Sequence, residues 1–204
     1  MLKEIRNHKM GMFYKVTDEQ SLKDRNELFR DVGIPNLENE GFEYAPFKTS
    51  WNGEYNTTIK GYIYQLARVS ENKMLEIIDV YILKGELRIQ IYLNIFELLS
   101  EISSVSLLKN VEGLSFGVPP NSVTKMRLRS DDYKGPPLFY MLFLPEHKIG
   151  SYYTQSGYEA KLKKLRKLIK SDMENIDGFV KRWHDIHRPN LTDWEGNVIA
   201  KVTH

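Results

Sequence analysis

The chain has 204 residues, 29 of them lysine or arginine against 27 aspartates and glutamates, for a formal charge of +2, and it contains no cysteine. The missing cysteine excludes disulfides, thiolate metal centres, iron–sulfur clusters and cysteine nucleophiles, and a hydrophobic content of 41% excludes global disorder. No apolar run approaches the roughly 18 residues needed to cross a bilayer.

A first helix is expected from about Asp18 to Val32, with Leu22, Phe29 and Val32 on one side, Thr17 or Asp18 as cap, and Gly33 followed by Pro35 as stop. From Gly41 to Tyr64 aromatic residues alternate with Gly, Pro and Asn, which reads as short strands joined by turns. The run 59–69 supplies a strand that turns through Ser70-Glu-Asn-Lys73 into the clearest local structure. That structure is a hairpin of Met74–Leu83 and Glu86–Ile95 around Lys84-Gly85, where glycine provides the positive φ of a two-residue loop. Such a loop sets Ile82 against Leu87, Val80 against Ile89, Ile78 against Ile91 and Met74 against Ile95. The resulting face is apolar except for Glu76, and the reverse face, with Leu75, Ile77, Asp79 and Tyr81, is mixed.

Phe96 to Leu108 places Leu98, Leu99, Ile102 and Val105 at helical spacing. Val123–Arg129 and Pro137–Leu144 are further strand candidates. In the C-terminal region Tyr158, Leu162, Leu165, Ile169, Met173, Ile176, Val180, Trp183 and His187 advance by three or four residues throughout. This stripe predicts one long helix, or a pair if Ser171-Asp-Met-Glu174 caps a second one, and Pro189 ends it. The expected fold class is α+β: an antiparallel sheet of about five strands built around the 74–95 hairpin and packed with helices. The chain is expected to form a single domain over 1–204, with 156–188 as a C-terminal helical element packed on it.

Few residue patterns carry chemistry. His184 and His187, three apart on a helix, have a spacing that metal ligands use, with Asp185 between them, but no third ligand is evident and no metal is called for. Asp79 and Glu86, followed two residues later by Arg88, match in part the nucleases in which a strand aspartate and a Glu-x-Lys pair hold magnesium. In the expected register Asp79 pairs with Gln90, which leaves Glu86 roughly 13 Å away by strand rise. The segment 161–170 holds six cations without an acid, and Lys163, Lys167 and Lys170 are expected to form an exposed row with Lys164 beside it. Trp51 and Tyr55 flank the polar turn Asn52-Gly-Glu54 as recognition anchors. No Gly-rich phosphate loop and no Gly-x-Ser-x-Gly elbow occur.

The leading functional expectation is therefore a non-enzymatic binding protein without a cofactor, for example a bacterial adaptor or immunity-type partner, recognising another protein of acidic character. A metal-dependent hydrolase or nuclease using His184, His187, Asp79 and Glu86 is the alternative, and nucleic-acid binding is the second alternative. The charged start Met1-Leu-Lys-Glu-Ile-Arg6 lacks the apolar stretch of a secretory signal, so a soluble cytoplasmic protein with no membrane association is expected.

Overall fold

The computed structural model describes residues 14–109, 111–113, 121–132 and 145–191. Helix α1 (Asp18–Leu28) begins where the Thr17 hydroxyl accepts the Gln20 N–H at 3.1 Å, with Asp18 and Glu19 favourably placed at the positive end of the helix dipole. It does not stop at Gly33. A single π-helical turn, Phe29–Gly33, leads directly into α2 (Ile34–Asn39), and this widened turn accommodates Pro35, which lacks an N–H and whose ring would clash in a regular α-helix interior. Gly33 is needed for a different reason: a Cβ there would lie 2.4 Å from the Phe29 ring. The stop is Gly41 at φ +84, whose N–H reaches the Glu38 carbonyl while that of Phe42 reaches Leu37, the paired bonds of a Schellman cap.

Among the described residues six strands follow: β1 (Glu43–Tyr44), β2 (Asn52–Asn56), β3 (Gly61–Ser70), β4 (Met74–Leu83), β5 (Gln90–Glu97) and β6 (Met126–Arg127). All described pairings between them are antiparallel, in the order β1-β3-β4-β5-β6, with β2 also pairing with β3. The β3–β4 hairpin turns through Glu71 and Asn72, both at positive φ, as the Ser70–Lys73 signal implies.

The β4–β5 register differs from the two-residue-loop expectation by two. Val80 faces Ile91, Ile78 faces Leu93 and Met74 faces Glu97. The cause is the segment after Gly85, which leaves β4 and pairs with 147–149 instead: the Ile89 N–H reaches the His147 carbonyl at 2.8 Å and the Ile149 N–H reaches Leu87 at 3.0 Å. Arg25 fills the gap, donating to the carbonyls of Leu83 at 2.9 Å and Arg88 at 2.8 Å. Because the slip is an even number of residues, each side chain keeps its face.

The apolar face packs on the helices, with Leu66, Ile78, Val80, Ile91 and Leu93 against Phe29, Leu37, Ile169, Met173 and Trp183. The reverse face is covered at one end by a second core of Phe47, Ala67, Leu75, Ile77, Phe96, Leu98, Ile102, Val105 and Leu108. This second core explains why 96–108 is not the expected helix. Phe96 belongs to β5, the chain then folds back over Leu75 and Ile77, and only Val105–Leu108 winds into a 3-10 turn. Similarly, 123–129 is not one strand but the end of a helical turn, α3 (Asn121–Thr124), followed by the two-residue β6 and a turn. The candidate strand Pro137–Leu144 lies outside the described residues.

The C-terminal stripe forms two helices, α4 (Gln155–Glu174) and α5 (Ile176–Ile186). The break falls at Asn175 and not at the Ser171 capping signal, because Asp172 lies inside α4 and turns inward. Tyr158, Leu165, Ile169, Met173, Ile176 and Trp183 are buried as the periodicity implies, and Phe179 joins them. The fold is thus α+β, with an antiparallel sheet and a C-terminal helix pair. Among the described residues no helix is long and apolar enough to cross a membrane.

Candidate functional site

Helix α4 carries the basic segment, and helical geometry divides its charges. At about 100° per residue, Lys161, Lys164 and Lys167 fall on one flank with Leu168 and Ser171, while Lys163 and Arg166 fall on the other. The first flank faces the segment 145–150 across a groove of about 600 Å³. Its described walls are Pro145, Glu146, Lys148 and Gly150 on one side and Lys161, Lys164, Leu165, Lys167, Leu168 and Ser171 on the other.

The 145–150 segment is held in place from two directions. Its backbone pairs with 87–89, and the buried His147 places Nε2 2.6 Å from the Asp172 carboxylate of α4. Arg129 Nε donates to the same carboxylate at 2.8 Å. Burial alone pushes the Asp172 carboxyl up, but the hydrogen bonds and charges of Arg129 and His147 outweigh it and hold the group below its ordinary value. Asp172 is thereby kept anionic as the anchor of the groove's second wall. Gly150 carries no side chain where the Lys161 ammonium passes, 3.7 Å from the position of a Cβ.

Glu146, the acid in the described lining, is engaged by Lys148 at 2.7 Å and Arg88 at 3.1 Å. Lys161, Lys164 and Lys167 form no ion pair with a described residue. Of the four lysines singled out from sequence, then, Lys164 and Lys167 belong to the groove. Lys163 lies with Arg166 in a separate crevice opposite Asp24, Glu27 and Asp31, and Lys170 pairs with Glu174 at 3.5 Å. Lys161 and Lys148 complete the set. Lys148 lies outside the basic run, and the pairing of 147–149 with 87–89 together with the His147–Asp172 contact brings it near.

The other candidates lie elsewhere. Trp51 and Tyr55 are exposed at the β2 edge, Tyr55 packing edge-on against Tyr62 at 5.4 Å, and neither lines the groove. His184 and His187 both place their rings against Trp183, at 5.2 and 5.4 Å between centroids. Among the described residues no group of three His, Asp or Glu side chains is arranged to hold a metal ion.

Asp79 pairs with Tyr92 and not Gln90, while Glu86 sits exposed in the connecting loop and accepts from Gln90 Nε2 at 2.9 Å. Asp79 is itself unusual. It is buried on the polar part of the reverse face, where its carboxylate accepts from Gln65 Nε2 at 2.9 Å and lies 3.5 Å from the Tyr81 hydroxyl. Burial raises it to about 7, against the lowering effects of Gln65, the nearby Lys125 ammonium and Tyr81.

One polar pair escaped the sequence reading. Glu76, the break in the apolar face, is answered by Arg68 directly across the β3–β4 hairpin, with Nε 2.7 Å from the carboxylate. The Ser70 hydroxyl donates to the other oxygen at 2.5 Å, and the guanidinium stacks 4.6 Å over Phe42. The cross-strand position of Arg68 was the available signal.

No protein family, curated protein or solved structure matches this chain.

Proposed function

We propose that this is a non-enzymatic, cytoplasmic binding protein that receives an acidic segment of a partner protein in the groove between α4 and residues 145–150. The observation that carries the reading is the convergence of Lys161, Lys164 and Lys167, without ion-pair partners among the described residues, and of Lys148 opposite them, over a floor of Leu165 and Leu168. Ammonium groups beside aliphatic surface favour carboxylates interleaved with apolar side chains. The charge supplies steering and selectivity, and the aliphatic floor supplies burial.

A protein segment suits this lining better than a nucleic acid. Base recognition on single strands relies on aromatic stacking, whereas no aromatic residue is among the described lining, whose one acid, Glu146, is engaged by Lys148 and Arg88, and the net charge of +2 is small for a phosphate-tracking surface.

The test is selection from a random peptide display library at low salt, with the parent protein and a K161E/K164E/K167E variant as parallel baits. Peptides rich in Asp, Glu and apolar residues are expected from the parent and are lost with the variant. Recovery of non-acidic peptides, or equal recovery by both baits, would overturn the reading. Preferential binding of a poly-dT oligonucleotide over the selected peptides would replace it with the nucleic-acid alternative.

A further inference from the structure

Lys161, Lys164 and Lys167 recur every third residue on α4, so successive ammonium-bearing positions rise by about 4.5 Å, or about 9 Å from first to last. We infer that the groove takes an acidic amphipathic α-helix of about three turns, laid along α4, with carboxylates at i, i+3 or i+4, and i+7 on the face it presents. This inference rests on the groove being the docking site proposed above.

The α4 wall of the groove runs from Lys161 to Ser171, about 15 Å of helix. A helical occupant covers that length with about ten residues and turns one stripe toward the groove, its members about 5 to 6 Å apart. An extended occupant covers it with four or five residues, and those sharing a face lie about 6.7 Å apart. The helical spacing is the closer match to the lysine step.

The helix also solves the placement of apolar contacts. Leu168 is half-buried on the same flank as Lys161 and Lys164, and Leu165, itself almost wholly buried, lines the groove at its inner edge. A helical stripe about 100° wide carries apolar residues beside its carboxylates at the same level, so one face meets both the ammonium row and the leucines. A strand of four or five residues must spend the same two or three inward positions on one or the other. Lys148, paired with Glu146 on the opposite wall, faces the far edge of such a helix.

The experiment measures binding of three fluorescent 14-residue peptides to the full-length protein by anisotropy. The first is a lactam-stapled helix with glutamates at positions 3, 6 and 10 and leucines between them on the same face. The second has the same composition with the glutamates distributed around the helix, and the third is the unstapled first sequence with two central residues replaced by proline. The first peptide is expected to bind at least tenfold more tightly than the other two, and K161E/K164E/K167E to weaken it at least tenfold. Equal affinities for the three peptides, all lost in the variant, would overturn the helical inference and leave the acidic-segment reading standing. No binding by any of them, or binding that ignores the lysine substitutions, would overturn both.

Discussion

The indole Nε1 of Trp183 donates to the backbone carbonyl of Thr124 at 2.7 Å, tying α5 to the turn that leads into β6. Trp183 is fully buried, so its hydrogen bond and its packing are lost together on truncation. Trp183→Ala is expected to cost about 3 to 5 kcal/mol. Trp183→Phe retains most of the apolar volume but leaves the carbonyl without its donor, for about 1 to 3 kcal/mol. Urea unfolding measures both, and an unchanged midpoint for the alanine variant would contradict the burial.

Arg25 is fully buried, and among the described residues its guanidinium donates to three main-chain carbonyls: Ser21 at 3.1 Å, Leu83 and Arg88. Burial lowers its pKa, the cost of keeping a cation there. Arg25→Met is expected to destabilise by about 2 to 5 kcal/mol, because the carbonyls on either side of the 84–89 loop lose their donor. Arg25→Lys should recover less than half of this, since one ammonium cannot fork between two strand ends. Hydrogen exchange offers a local check, because the amides of Ile89 and Ile149 should exchange faster in both variants. Protection equal to the parent's would show that Arg25 does not hold the loop.

Asp79 gives a pH dependence of defined sign. Its carboxyl titrates near 3.8 in the unfolded chain and at about 7 in the fold. Between these values the unfolded state has released the proton and the folded state holds it, so stability falls as pH rises from about 4 to 7 and the loss is complete above that. Asp79→Asn keeps the acceptor for Gln65 and removes the ionisation. The variant is therefore expected to gain stability relative to the parent, by a few kcal/mol at pH 8, by part of that at pH 5 and by little at pH 3. A stability difference independent of pH would contradict the assignment.

The groove lysines should matter little for folding. Lys161, Lys164 and Lys167 make no ion pair with a described residue, and exposed charges contribute well under 1 kcal/mol each through such pairs. K161E/K164E/K167E should melt within a few degrees of the parent while losing the salt-sensitive part of its on-rate for an acidic peptide. A collapse of the melting temperature would make these residues structural instead.

Periodicity made the C-terminal stripe, the β3–β4 hairpin and the two faces of β4 legible in sequence, because each depends on local spacing. Two of the failures share a cause in long-range contacts. The β4–β5 register slipped because 87–89 found a better partner in 147–149, sixty residues away, and the Phe96–Leu108 pattern served a second core and not a helix. Gly33 and Pro35 signalled a stop that the π turn absorbed. The candidate site was half readable for the same reason: the basic run of α4 is visible, but which of its lysines face a groove depends on the 145–150 segment, whose position is set by His147 and Asp172.

The most direct test of the account is an amide chemical-shift titration of the full-length protein with an acidic, leucine-containing peptide. Perturbations are expected to concentrate at 145–150 and 161–171, to shrink as salt is raised and to disappear in K161E/K164E/K167E. Perturbations centred instead on Trp51 and Tyr55, or a groove that stays silent while the peptide binds, would contradict it.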